Sequence, residues 1–150
     1  MLRDDLKSAQ ITAMKAKEKE RLAAIRLILA KVKDKDIELR TGKAPDDDDA
    51  LVIDVLQKMA KQRRESIEMY EKGGRTELAD QEKSELAVID EFLPAQMSED
   101  AMKAAIEAIK AQVGAESIKD MGKVMGALKA KHGTEMDMSK ASGLVKASFN

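Results

Sequence analysis

Residues 52–94 read VIDVLQKMAKQRRESIEMYEKGGRTELADQEKSELAVIDEFLP, and this stretch decides the fold. Its apolar side chains recur every third or fourth position, which is the spacing of one face of an α-helix. In the first half these positions are Val52, Val55, Leu56, Met59, Ile67 and Tyr70. The pair Gly73-Gly74 interrupts the pattern, and Pro94 ends it, as helix-ending residues do. The stretch therefore predicts two consecutive amphipathic helices.

The same periodicity extends to both sides of this stretch. Two more helices are predicted before it, and the second of them ends near Gly42. Pro45 and the run Asp46–Asp49 are interpreted as a solvated loop, although carboxylates there could also complement the dipole of the next helix. Three helices follow, with Ser98 and Asp137 as N-caps. We predict an all-α fold in which a four-helix N-terminal unit, residues 1–93, is joined at Pro94 to a three-helix C-terminal bundle, residues 95–150.

Composition supports this fold class and limits the chemistry. Aromatic residues make up only 2% of the chain, whereas β-rich folds draw on aromatic and β-branched residues. Cysteine is absent, which excludes disulfides, zinc–thiolate sites and cysteine nucleophiles. No apolar run approaches the roughly 20 residues that cross a bilayer, and residues 1–7 are of mixed charge. We therefore predict a soluble cytoplasmic protein with no membrane partner.

No catalytic constellation is recognisable in the sequence. The single histidine, His132, precedes Gly133 at a predicted helix end and has no cysteine or serine-elbow partner. Phosphate-binding glycine loops are absent, and a di-iron bundle would need Glu-x-x-His on two helices. We predict no catalytic residue, no cofactor and no metal site.

Charged residues nevertheless fall inside two apolar stripes. Glu82 and Glu85 lie within the stripe of the fourth helix, Arg63 lies within that of the third, and Arg26 borders that of the second. Because inward charges are costly unless paired, we predict an ion-pair network among these four residues. A metal site or an acid–base pair is the alternative. Loss of one partner should cost about 3–5 kcal/mol if the site is buried.

The sixth helix has an unusual flank. Gly122 and Gly126 lie four residues apart, with Lys119, Lys123 and Lys129 beside them. Interior glycine weakens a helix by about 0.5–1 kcal/mol, so something is expected to approach the backbone closely. The two candidates are a neighbouring helix and a sugar-phosphate backbone that the lysines contact. From Ser117 onwards the chain has six lysines against three acidic residues and no aromatic side chain beside the lysines, so RNA would be recognised by shape and phosphates.

Three segments together carry a family resemblance. The first comprises Gln62-Arg63-Arg64-Glu65-Ser66, Tyr70, Gly73-Gly74-Arg75 and Leu78. The second comprises Glu82-Lys83-Ser84-Glu85-Leu86 and Phe92-Leu93-Pro94, and the third is Met121-Gly122-Lys123-Val124-Met125-Gly126. The combined pattern resembles the GatB/YqeY family across essentially the whole chain.

The resemblance implies two helical domains, of which residues 95–150 are similar to the tail domain of the B subunit of aspartyl/glutamyl-tRNA amidotransferase. That tail contacts the body of tRNA, whereas the active sites of the amidotransferase lie in parts that this chain does not resemble. By matching positions, the resemblance implies five candidate RNA contacts, and the neighbouring Lys119 is added to them. The five are Gly122, Lys123, Gly126, Lys129 and Lys131.

The leading hypothesis is a non-catalytic accessory protein that binds tRNA or another structured RNA, or that associates with an amidotransferase. One alternative is a protein–protein adaptor, since the ten methionines could form an adaptable apolar surface, which should then be exposed near Pro94. The other alternative follows from the family label alone. It is participation in glutamine-dependent carbon–nitrogen ligase activity.

Overall fold

The computed structural model describes residues 1–42 and 47–149, and within these ranges it contains helices and no strand. The helices are α1 (Leu2–Lys15), α2 (Lys19–Glu38), α3 (Asp48–Lys72), α4 (Thr76–Phe92), α5 (Glu99–Val113), α6 (Met121–His132) and α7 (Met138–Ser148). A 3₁₀ turn, Ile118–Asp120, precedes α6. The prediction of an all-α fold is confirmed. None of the described helices is both long and apolar enough to span a membrane.

Side chains at the helix ends explain where several helices begin and stop. Asp47, Ser98 and Asp137 each accept a hydrogen bond from a backbone N–H in the first turn of the helix that follows. This satisfies donors that have no partner inside the helix. At the end of α5, Gly114 adopts a left-handed conformation with φ of 69°, which glycine reaches without strain.

The described chain forms two compact units that meet in sequence between Leu93 and Pro94. Helices α1–α4 form the N-terminal unit and α5–α7 the C-terminal unit, and each has its own apolar core. Fully buried residues of the N-terminal core include Leu6, Ile28, Val52, Leu56 and Ile89. Those of the C-terminal core include Ile106, Val124, Leu128, Met136 and Val145.

One arginine ties three helices of the N-terminal unit together. Arg3 on α1 donates hydrogen bonds from Nη1 and Nη2 to the two carboxylate oxygens of Asp36 on α2, at 2.7 and 3.1 Å. The same guanidinium donates from Nε and Nη2 to Asp48 in the first turn of α3, at 3.0 and 2.8 Å. Asp49 accepts a further hydrogen bond from the backbone N–H of Leu2 at 2.9 Å.

This arrangement corrects the interpretation of the aspartate run. Asp48 and Asp49 belong to the first turn of α3 and bind α1, so the solvated-loop interpretation is wrong for them. The alternative, carboxylates at a helix N-terminus, describes them better because the first-turn N–H groups of α3 favour negative charge. Pro45 and Asp46 lie outside the described residues.

We predict that Arg3→Gln lowers the free energy of unfolding by about 1 kcal/mol at pH 7, since these carboxylates are more than one-third exposed. Hydrogen bonds from Arg3 hold the pKa of Asp36 and of Asp48 below the ordinary value of 3.8. A lowered folded-state pKa contributes stability above the unfolded-state value, and this stability is lost as the pH falls through the folded-state value.

The difference between the two proteins should therefore be largest near neutral pH and shrink as the pH falls below about 4. Urea unfolding at a series of pH values measures it. The matched control is Lys58→Gln, which breaks one exposed pair with Asp54 on the same helix and should change stability by less than about 0.5 kcal/mol. An Arg3→Gln effect that is independent of pH would contradict the prediction.

Candidate nucleic-acid interface

The start of α6 is fixed by a capping box in the preceding turn. The Ser117 side chain accepts a hydrogen bond from the backbone N–H of Asp120, and the Asp120 side chain accepts one from the backbone N–H of Ser117. Asp120 Oδ2 accepts hydrogen bonds from the backbone N–H groups of Glu116 at 3.0 Å and Ser117 at 3.4 Å. These bonds hold the pKa of the Asp120 carboxyl below its ordinary value, and the nearby Lys123 charge adds to the effect. The turn therefore sets the direction in which α6 leaves it.

Burial on one side of α6 determines what the other side presents. Val124 and Leu128 are fully buried in the C-terminal core. At about 100° per residue, Gly122, Gly126 and Lys129 fall within about 60° of one another on the opposite side, where all three are exposed. We call Gly122, Lys123, Gly126 and Lys129 the α6 face. Lys119 in the preceding turn is exposed beside it.

The two glycines of the α6 face lie against open space. A Cβ atom added at Gly122 or at Gly126 would meet no described heavy atom within 4 Å beyond the backbone of α6 itself and the adjacent residues. The explanation that a neighbouring helix requires them is therefore wrong for the part of the chain that the structure describes. The other explanation, close approach by an external molecule, stays a prediction.

The candidate lysines do not all point the same way. Lys131 follows Gly122 by nine residues, which places it about 180° around the helix from that glycine. It therefore lies outside the α6 face, although it is exposed. Lys119 and Lys129 make no ion pair with any residue that the structure describes, so their charge is not neutralised within these ranges.

Sequence reasoning missed one residue of this region. Ile118 in the 3₁₀ turn is 45% exposed and directly precedes Lys119. An apolar side chain at this position belongs to no helical stripe, and that break in periodicity was the available signal. It adds a small apolar surface next to the lysines.

The charged residues of the N-terminal unit form a separate cluster. Arg63 Nε lies 3.2 Å from Glu82 Oε2 and 2.9 Å from Glu85 Oε2, with the three side chains 18%, 20% and 28% exposed. The structure thus brings together three of the four residues expected in the network. Arg26 does not join them, because it is exposed at the edge of the α2 stripe and makes no ion pair with the described residues.

The two short contacts of Arg63 are charge–charge contacts without hydrogen-bond geometry. Arg63 Nε and Glu82 Oε2 are buried atoms that have no hydrogen-bond partner, because the Nε–H does not point along either N···O direction.

Among residues 1–42 and 47–149, no group of three or more His, Asp or Glu side chains is arranged to hold a metal ion. His132 Nδ1 lies 3.2 Å from Glu135 Oε2 in a local contact at the end of α6.

Comparison with known proteins identifies the family to which the chain belongs. The sequence model of the family described as "Yqey-like protein" matches residues 3–149, in agreement with the resemblance that the sequence motifs carry. Three curated relatives carry the name "Altered inheritance of mitochondria protein 41, mitochondrial". The relative from Lachancea thermotolerans is 37% identical over 92 residues, which are 61% of this chain and 46% of the relative. The relative from Eremothecium gossypii is 37% identical over 94 residues, which are 63% and 48% of the two chains.

The third relative, from Kluyveromyces lactis, is 32% identical over 91 residues, or 61% of this chain and 45% of the relative. The matched part thus spans somewhat less than half the length of these relatives. All three are named as mitochondrial proteins, and this contradicts the prediction of a cytoplasmic protein. That prediction rested on composition and on the first residues, and neither property of a helical domain determines the compartment in which it works.

We predict that Arg63→Met lowers the free energy of unfolding by about 2 kcal/mol, because it leaves two carboxylates together without their cation. The loss should be smaller than the 3–5 kcal/mol of a fully buried pair, since water reaches part of all three side chains. Glu82→Gln should cost less, because Arg63 keeps Glu85. Urea unfolding at pH 7 compares the variants, and equal stability of Arg63→Met and the parent protein would contradict this account.

We predict that Gly126→Ala raises the free energy of unfolding by about 0.5–1 kcal/mol, since alanine favours the helix and the added methyl group meets open space. Gly114→Ala is the matched control on the preceding helix end. It should destabilise the protein, because Gly114 needs a positive φ. Thermal unfolding measures both. A loss of stability in Gly126→Ala would mean that the space beside α6 is not open.

Proposed function

The chain belongs to the YqeY-like family, and on this premise we propose that it is a non-catalytic accessory protein whose α6 face docks on structured RNA such as tRNA. The observation that carries the proposal is the open space over Gly122 and Gly126, flanked by the exposed Lys129, which makes no ion pair with a described residue. A residue without a side chain costs helix stability, and its use at two successive turns is accounted for when a ligand backbone lies on the helix.

The chemistry of the face suits a phosphate backbone. Lys123 and Lys129 would contact phosphates, which position a protein on RNA without reading its sequence. Base stacking has little to work with, because Phe149 in the C-terminal unit is half-buried and already lies against the ammonium group of Lys110, 4.3 Å from the ring centre. The expected ligand is therefore a folded, largely base-paired RNA that is recognised by shape.

The adaptor hypothesis has less support from the side chains near Pro94. An adaptor was expected to expose Met and Leu side chains near Pro94, but Leu93 and Met97 are both half-buried. Participation in glutamine-dependent amide transfer would need a nucleophile or a nucleotide site that we do not find among the described residues. Turnover of isotope-labelled glutamine by the pure protein would establish that activity against our proposal.

We predict that the protein binds a tRNA transcript at low salt, and that the affinity falls steeply between about 50 and 200 mM salt as counterions are released. Lys123→Glu/Lys129→Glu should abolish most of this binding, and single neutral variants should each reduce the salt slope by about one unit. Fluorescence anisotropy with labelled tRNA measures both effects, and circular dichroism checks that the variants remain folded.

Lys131→Glu is the matched control for Lys129→Glu, because it makes the same charge change on the same helix about 160° around from Lys129. Gly126→Leu tests close approach separately, since it keeps every charge and adds bulk to the α6 face. Undetectable binding at low salt, or equal losses for Lys131→Glu and Lys129→Glu, would refute docking through the α6 face.

A further inference from the structure

A groove of about 690 Å³ runs between α2 and α4 in the N-terminal unit. One face of α4 forms its long wall, from Glu77 to Val88, with lining residues at every third or fourth position. At 1.5 Å per residue this wall is about 16 Å long, or three helical turns. The groove is open along one side, so an occupant would keep one face in solvent.

The rim of the groove is strongly acidic. Glu77, Asp80 and Glu85 from α4 face Glu20 from the first turn of α2. Glu20, Glu77 and Asp80 make no ion pair with any residue in the described ranges. The groove therefore presents carboxylates without an ion-pair partner in these ranges, and the nearby Lys83, which interacts electrostatically with Asp80, is held by Glu71.

Among the described residues, Arg21 is the one cation that lines the groove, and its charge is paired with residues outside it. Arg21 Nη1 donates a hydrogen bond to Glu91 Oε2 at 2.6 Å, and its Nε lies 3.8 Å from Glu18 Oε2. Its charge is thus compensated by carboxylates that do not line the groove. The floor is made of small or aliphatic side chains, of which Ala24 is buried and Val88 is half-buried.

A second observation links the groove to the interior. Glu85 lines the groove and also lies 2.9 Å from Arg63 Nε, without a hydrogen bond. Glu82 Oε2 lies 3.2 Å from the same nitrogen, is buried, and has no hydrogen-bond partner. If a cation drew Glu85 towards the groove, Arg63 would still have a carboxylate within reach. Glu82 is thus a reserve partner, which lets Glu85 serve a ligand without leaving a buried charge alone.

We infer that the α2–α4 groove is a docking site for a lysine- or arginine-rich amphipathic helix of a partner protein. The carboxylates match its cationic side chains, the alanine and valine floor accepts its narrow apolar stripe, and the open side leaves its outer face in water. A small polyamine fits less well, because small-molecule sites usually enclose most of their ligand. Docking moves Glu85 towards the partner and Arg63 towards Glu82. This inference does not depend on RNA binding, since all of its residues belong to the N-terminal unit.

The test uses the full chain and a fluorescein-labelled, alanine-rich helical peptide of about 14 residues with lysines at every third or fourth position. We expect saturable binding by anisotropy that weakens as salt rises. Glu77→Gln/Asp80→Asn should weaken it about tenfold, since one exposed ion pair contributes up to about fivefold.

The matched control is Asp90→Asn, which removes an exposed carboxylate on α4 that lies about 140° around the helix from Glu77. It should leave the affinity within about twofold, because rim charges act mainly on their own contacts. Thermal unfolding checks that the three proteins are equally folded. A peptide with glutamates in place of the lysines should not bind.

The coupling is read from the Arg63 Nε–H signal in an NMR spectrum of ¹⁵N-labelled protein, assigned by its loss in Arg63→Lys. Saturating peptide should slow the exchange of this proton with water, because it gains a hydrogen bond to Glu82. Glu82→Ala should remove the protection while the peptide still binds. An unchanged Arg63 signal at saturation would refute the reserve-partner arrangement.

Three results would overturn the docking site itself. Because Asp90→Asn removes one charge and the groove variant removes two, a loss of about threefold for Asp90→Asn, half the groove variant's effect in log affinity, would show attraction to net charge alone. Binding of spermine without binding of the peptide would show a polyamine site. Self-association of the full chain in sedimentation, abolished by Glu77→Gln/Asp80→Asn, would show that a second copy occupies the groove.

Discussion

Helices α6 and α7, of 12 and 11 residues, are too short to be stable by themselves, and the described helices persist chiefly because an apolar stripe on each is buried against its neighbours. This constraint also decides what the rest of each helix can offer. On α6, burial of Val124 and Leu128 turns Gly122 and Gly126 outward. On α4, burial of Ala79 and Ile89 leaves the flank that carries Asp80 and Ser84 free to line the groove with α2. Both proposed surfaces are therefore by-products of how two small cores are packed.

The helices could be predicted from sequence because periodicity is a local property that α3 and α4 show strongly. The inward direction of Arg63, Glu82 and Glu85 followed from the same periodicity, since these residues interrupt apolar stripes. Arg26 stands at the edge of its stripe, where a long side chain can turn to water, and periodicity cannot decide such a case. The glycines of α6 left two explanations open, and only the positions of the other helices could remove one of them.

Contacts between helix ends were beyond sequence reasoning. Arg3 meets Asp36 and Asp48 across separations of 33 and 45 residues, at positions that belong to no stripe. The groove was equally hidden, because it depends on the distance between α2 and α4 and not on the pattern of either helix. Biological compartment lies outside this kind of inference altogether, as the names of the mitochondrial relatives show.

The docking proposed for α6 would oppose helix stability at Gly122 and Gly126, both of which face open space. At most surface positions a substitution can stabilise a protein without affecting its function. At Gly122 and Gly126, any residue that strengthens α6 also adds a side chain to the face that the proposed ligand would meet. Selection for thermal stability alone would favour alanine at these two positions. Under that proposal, a thermostability screen and an RNA-binding assay would rank alanine variants of these two glycines in opposite order.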